Sequence, residues 1–447
     1  MVFLACAAAS GGIVTDRDIV YNFGSDDHVI FVDADAKGAN NGSTWDNAFT
    51  DLQDALAIAT AGKDIWVAEG TYKPGTSRTD SFQMKNGVGI YGSFNGSETK
   101  IDQRDIQANP TILSGEIGIA DDEKDNCYHV FYHPSDASVD ETAILDGFTI
   151  TAGCADGAYP HYYGGGIYNS FSSSPTLTNC TFIGNKAMSH GGGMCNFHYS
   201  NSTFTNCTFI DNTAGNGAGM YICNSTPTLT NCTFNGNTAK YKGGGIYNYS
   251  SSPTIANCTF SANTSSLNSG GGMHNSSSSP MLTNCIIWGD IAGSEGDQIY
   301  NDNDSTPAIS YCCIQDGYAG TGNISADPLF ADMDGLDGIA GTLDDDLRLS
   351  AGSPCIDAGN NQIILDPDND GITTISLLSD ISGKIRYVDD LSTADTGLSF
   401  LISWPVIDMG AYEYPSTTPI EGDIDGDGDV DMADLARLAA NWMVRVE

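Results

Sequence analysis

The 447 residues carry 17 Lys and Arg against 57 Asp and Glu, a formal net charge of −40, while 40% of them are apolar. That balance excludes a nucleic-acid partner, whose phosphates need clustered Lys and Arg, and equally adhesion to an anionic membrane surface. It suits a soluble extracellular protein and calcium ligation, and no apolar run is long enough to be a transmembrane segment.

Residues 1–25 are expected to be a signal-peptide remnant or a disordered arm. They open with a short apolar stretch and an Ala5-Cys6-Ala7 triplet of the cleavable kind, although no positive region precedes it. Phe3-Leu4-Ala5-Cys6 also distantly resembles a lipobox. Residues 29–33 (VIFVD) and 65–68 (IWVA) read as strands. Between them Phe49, Leu52, Leu56 and Ala59 recur at helical spacing. Thr50 with Gln53 predicts a capping box. This short helix would cover the open N-terminal end of a stacked fold, whose apolar end needs a cap. Further strands follow at 88–91, 111–113, 130–132 and 144–150.

The middle of the chain repeats. Gly164-Gly-Gly-Ile-Tyr-Asn169, Gly191-Gly-Gly-Met-Cys-Asn196, Gly217-Ala-Gly-Met-Tyr221, Gly243-Gly-Gly-Ile-Tyr-Asn248 and Gly270-Gly-Gly-Met-His-Asn275 are each followed by an Asn-Cys pair. The cysteines of those pairs, at 180, 207, 232, 258 and 285, lie 27, 25, 26 and 27 residues apart. That period is too short for paired-helix repeats. The Thr, Ile, Tyr, Phe and Asn content, broken by Gly and Ser-Ser-Pro, signals strands and turns. We therefore expect an all-β, right-handed parallel β-helix over residues 26–415, with three short strands per coil at ~4.8 Å spacing.

Within Asn-Cys-Thr-Phe, Cys and Phe lie two apart and share a strand face. This predicts an interior column of Phe182, Phe209, Phe234 and Phe260 beside a column of thiols, with Thr181, Thr208, Thr233 and Thr259 facing out. Leu177 and Leu229 lie three before their Cys, so a bend is expected at Asn179 and Asn231, whose stacked amides can bond along the axis. The 13 cysteines are an odd number. The thiol column reads as structural, and disulfides between coils are disfavoured because parallel neighbours are poorly oriented for them. Tyr168, Tyr221 and Tyr247 form either an aromatic strip suited to sugar rings or a plain surface ladder, and His274, in the same place, is expected to be exposed.

On these residues the chain resembles several families. Gly-Gly-Gly-Ile/Met with Phe182-Ile-Gly-Asn185, Phe209-Ile-Asp-Asn212, Phe234-Asn-Gly-Asn237 and Phe260-Ser-Ala-Asn263 resembles the polymorphic outer-membrane protein repeat over residues 144–290, which implies a surface β-helix, sometimes adhesive. Residues 31–75 (Phe31-Val-Asp, Trp45, Ala68-Glu-Gly-Thr-Tyr72) resemble the N-terminal segment of secreted pectate-lyase-like proteins. Residues 284–414 resemble the choice-of-anchor Q domain through Asn284-Cys-Ile-Ile-Trp288, Asp327-Pro-Leu-Phe330, Gly352-Ser-Pro-Cys-Ile-Asp-Ala-Gly359 and Asp408-Met-Gly-Ala-Tyr-Glu413. That likeness implies a β-helix terminus of surface proteins and no reaction.

Residues 416–447 read as a linker and a calcium loop followed by a helix. Asp423, Asp425, Asp427, Asp429, Asp431 and Asp434 fall at loop positions 1, 3, 5, 7, 9 and 12, with Gly428 at the turn. Oxygen ligands at this spacing are what a calcium loop requires, Asp429 ligating through its main-chain carbonyl. Leu435, Leu438, Ala439 and Trp442 share one face of the helix behind it. An Asp at position 12 resembles the dockerin loop, which implies a cohesin partner, although one loop stands here where a dockerin has two. The acidic residues Asp332, Asp334, Asp337, Asp344, Asp345 and Asp346, and the trio Asp366, Asp368 and Asp370, are weaker calcium candidates against solvated turns.

Catalytic residues are not apparent. Lys186, Lys240 and Lys242 lie in turns, Arg104 sits near Asp102 and Asp105 in what reads as a structural ion pair, and the clustered Asp, His and Arg-x-Lys of polygalacturonases are missing. Paired carboxylates assembled across coils would leave no spacing signal. Three functions stay open: a secreted or cell-surface polysaccharide-binding protein held by its calcium tail, a polysaccharide lyase or glycoside hydrolase, and a purely structural or adhesive envelope protein.

Overall fold

The computed structural model describes residues 28–361 except 303, with 379–384, 386, 393, 395–398 and 406–414. The leader, the Asp366–Asp370 trio and the calcium loop with its helix lie outside the described residues.

One coil shows how the sequence makes the fold. Ile167–Ser170 runs as a strand, turns, continues as Thr176–Thr178, bends, and runs on as Thr181–Ile183 and Lys186–His190. The next coil opens at Met194–Phe197. Each strand pairs in parallel with its counterpart one repeat on: Ile167 with Met194, Leu177 with Phe204, Phe182 with Phe209, Ala187 with Ala214. Repetition builds parallel sheets of ten, seven, nine and six strands among the described residues, a solenoid of about nine turns. The coil thus has four strands where three were expected. The fourth is weak in sequence because it sends one small residue inward per coil, as Ala155, Ala187, Ala214 and Ala239 do. Crossovers between parallel strands close in the right-handed sense, and the chain is a right-handed parallel β-helix.

The interior follows from two bends. Asn179, Asn206, Asn231, Asn257 and Asn284 have φ of 51–56°, a left-handed conformation that Asn tolerates. That bend turns the strand so that both the preceding Leu, Phe or Ile and the following Cys point inward. Asn206 donates to Asn179, Asn231 to Asn206 and Asn284 to Asn257, at 3.0–3.1 Å. The phenylalanines stack as predicted, with centroids 4.5, 4.7 and 4.8 Å apart and planes within 5°. All four rings are fully buried. Each such ring contributes roughly 1.5–3 kcal/mol by leaving water. The twelve described cysteines are unpaired and buried.

The second bend explains the glycine triplet. The first Gly of each triplet has φ between 58° and 74°, and a Cβ on Gly191 would lie 2.3 Å from the Met194 carbonyl oxygen. A Cβ on the third, as at Gly245, would lie 2.6 Å from the oxygen of Gly272 on the next coil. Neighbouring coils therefore approach more closely here than any side chain allows.

The N-terminal end and one flank are covered. The helix Leu52–Ile58 packs Leu52, Ala55 and Leu56 onto the first coil. Its N-cap is Asp51, whose Oδ1 accepts from Gln53 N at 2.8 Å, and not Thr50. Thr181 and Thr208 lie on the outer face as expected, but Thr233 and Thr259 are buried. The C-terminal segment returns across them: Ala411 N donates to Thr259 Oγ1 at 3.0 Å and Asn231 Nδ2 to the Ser379 carbonyl at 2.8 Å. Past that point the outer face turns apolar, with Ile286, Cys313, Leu349, Ile356 and Met409 in a second core.

Candidate functional site

The outer face of the seven-stranded sheet is the most chemically varied surface. Pairing places Tyr132, Tyr168, Cys195, Tyr221, Tyr247, His274 and Tyr300 in one column. Their neighbours Ile167, Met194, Met220, Ile246 and Met273 belong to the interior core, while the tyrosines form a separate cluster, so the column points outward. Tyr132 stacks on Tyr168 at 5.4 Å and His274 on Tyr300 at 4.8 Å. His190 stands edge-on to Tyr221 at 4.2 Å, and the Lys242 ammonium lies 5.4 Å from the Tyr247 ring centre.

The expected exposed strip is therefore corrected. Tyr168, Tyr221, Tyr247 and His274 are buried, not exposed. The glycine turn folds over the base of each ring, and Tyr163, Phe197 and His190 close the sides. Burial pushes the imidazoles of His190 and His274 down to about 4, the Lys242 charge adding to the effect at His274. The rings that reach solvent are one step further along the strands and in the turns: Phe171 is 42% exposed, Tyr199 69% and Tyr249 44%. Phe171 stacks on His198 at 5.1 Å and meets Phe197 edge-on. Phe171 thus rests on packed rings, and Tyr249 lies 6.4 Å from the Tyr247 ring.

At the N-terminal end of this face lies a histidine pair. His129 Nδ1 is 2.8 Å from the Gly164 carbonyl oxygen, and its Nε2 is 3.0 Å from His161 Nδ1. A carbonyl only accepts, so His129 Nδ1 carries the proton. Burial drives the His129 imidazole down to about 3, so it stays neutral and its Nε2 accepts from His161 Nδ1–H. Among the described residues no hydrogen bond reaches His161 Nε2, and burial lowers the His161 imidazole. Tyr128 stacks on His161 at 4.9 Å, and Arg78 lies over Tyr128 at 4.3 Å while binding Asp156 at 2.5 Å. Residues 129 and 161 are 32 apart in sequence and separated by a loop, so no spacing motif could have found the pair.

The other sequence candidates resolve differently. Arg104 pairs with Asp146 at 2.5 Å, on a neighbouring coil, instead of with Asp102 or Asp105. In the Asp332–Asp346 segment the carboxylates of Asp344, Asp345 and Asp346 are engaged by the protein itself. Asp345 accepts from Gly341 N and Asn235 Nδ2, Asp344 from Asp337 N, and Asp346 binds Arg348. No three His, Cys, Asp or Glu side chains converge on a metal position among the described residues.

Residues 77–278 match the family model for the right handed beta helix region. No curated protein matches the sequence significantly. Similar solved structures include pectate lyase Pel9A, at 14% identity over 87% of this chain and 96% of that one with a TM-score of 0.44. A rhamnogalacturonan lyase matches at 12% identity, over 72% of this chain and 96% of that one, TM-score 0.35. A pectin methylesterase in complex with a hexasaccharide matches at 11% identity, over 65% of this chain and 90% of that one, TM-score 0.35.

Proposed function

We propose that this protein is a secreted or cell-surface β-helix that binds extracellular polysaccharide along its aromatic face. In this reading it is held to a complex or envelope by the calcium loop Asp423–Asp434, with a cohesin-type module as partner. The observation that carries the reading is the set of exposed rings Phe171, Tyr199 and Tyr249 at the edge of the packed aromatic cluster. Aromatic faces fixed by the packing beneath them offer sugar rings a stacking surface at little entropic cost. The strong negative charge directs the reading toward neutral or cation-bridged glycans. Titration of the protein against a panel of plant and microbial polysaccharides, with and without calcium, tests it. Saturable binding without release of products supports the proposal, and failure to bind any glycan in either condition contradicts it.

A second reading, a polysaccharide lyase or glycoside hydrolase, is favoured by one observation, the His161 Nε2 beside the same face, which no hydrogen bond reaches among the described residues. A neutral imidazole with a fixed tautomer is suited to proton abstraction near neutral pH. New unsaturated or reducing ends in the panel, abolished by His161→Ala, would move the assignment to an enzyme.

A further inference from the structure

Away from the aromatic face, the corner between the nine- and six-stranded sheets carries a loop of residues 116–126. Its neck is closed where Cys127 N donates to the Gly115 carbonyl at 2.9 Å, and Gly115 N donates to Thr151 O on the next coil at 2.9 Å. Under the loop is a cavity of about 220 Å³ lined by Glu116, Asp121, Glu123, Asn126, Gly153 and Lys186 among others.

Three observations give this cavity a chemistry. Asn126 is 2% exposed, lines the cavity, and its Oδ1 has no hydrogen-bond donor. Glu116 Oε1, on the lining of the same cavity, is buried and equally without a donor. A buried polar atom left unsatisfied costs about 1–3 kcal/mol, and two oxygen acceptors lining one cavity suit a bound cation with its waters. Lys186 pairs with Glu123 and bonds neither Asn126 Oδ1 nor Glu116 Oε1. Glu116 and Asp121 have no salt-bridge partner among the described residues.

We propose that the 116–126 loop holds a divalent cation of the calcium type, with Glu116, Asp121 and Asn126 as its side-chain donors. All-oxygen ligation with waters completing six to eight positions is the chemistry of calcium. About 220 Å³ has room for the ion and several waters, each taking roughly 30 Å³. Two carboxylates and an amide form a weakly charged set, which predicts a dissociation constant of about 10⁻⁴–10⁻³ M, the range of extracellular modules. The ion would close the loop against the corner that also holds Cys154 and Gly184.

The test uses the full chain freed of metal by chelation, with Asp423→Ala and Asp427→Ala introduced to silence the C-terminal loop, and calcium chloride as the probe in calorimetric titration. One calcium per chain is expected. Asn126→Leu should weaken binding at least tenfold. Asn126→Asp, which adds a third carboxylate, should tighten it severalfold, a gain that misfolding cannot produce. Absence of calcium binding in the silenced background, or equal affinity in both Asn126 variants and their parent, would overturn the proposal.

Discussion

Asn263 donates its Nδ2 to Asp290 Oδ1 at 2.8 Å, and with that contact a buried ladder of amides ends on a carboxyl group. Asn185, Asn212 and Asn237 each pass one such bond to the next coil at 2.8–3.2 Å. Each also bonds a main-chain oxygen on the coil before, those of Ile150, Phe182 and Phe209. Asp290 takes the fifth place but cannot donate when ionised, and its Oδ2 has no partner. Burial holds its carboxyl well above the usual carboxylate range.

Asp290→Asn is therefore expected to stabilise the protein at neutral pH by about 1–3 kcal/mol, by restoring the donor that the ladder repeats. The sign follows from linkage. A folded pKa raised above the unfolded value gives stability that is complete below the unfolded pKa, about 3.9, and declines as pH rises toward the folded pKa. Thermal unfolding of the native chain between pH 4 and pH 8 should show this decline, and the Asn variant should flatten it. Equal pH profiles would place the loss elsewhere.

The phenylalanine column should behave as a shared core. Phe234 stacks on Phe209 at 4.7 Å and on Phe260 at 4.8 Å, so Phe234→Ala opens a cavity in the middle of the stack. A cost of about 3–5 kcal/mol is expected. Phe171→Ala, at an exposed ring, should cost under about 0.5 kcal/mol. Denaturant unfolding of the two variants checks the contrast, and similar losses would contradict the inward assignment.

The thiols offer a probe of coil integrity. Cys180, Cys207, Cys232 and Cys258 are buried, unpaired, and raised well above their usual range by burial. In the folded protein they should resist an aromatic disulfide reagent at pH 8, and react together on unfolding. Fast labelling of more than one or two thiols in the native state would contradict a closed interior.

These columns were legible because the repeat writes them into the sequence. The cysteine spacing of 27, 25, 26 and 27 residues is the register offset of the paired strands, and the Asn bend was readable from one Leu–Cys interval. The errors occurred where burial comes from a different part of the chain. Tyr168 and His274 face outward as the alternation required, yet glycine turns and flanking rings enclose them. Thr259 is covered by Ala411, 152 residues away, which no local pattern could announce. The fourth strand hid because Ala187 and Ala214 are too small to mark a periodicity. The histidine pair was invisible for a related reason, since its partners meet only when one coil is laid on the next.

The most direct test of the aromatic face compares the native protein with a Phe171→Ala, Tyr199→Ala, Tyr249→Ala variant against the polysaccharide that the native protein binds best. Loss of three stacking rings, each worth about 0.5–1.5 kcal/mol, predicts at least a tenfold weaker affinity with an unchanged melting temperature. An affinity equal to that of the native protein would contradict the assignment of this face to glycan binding.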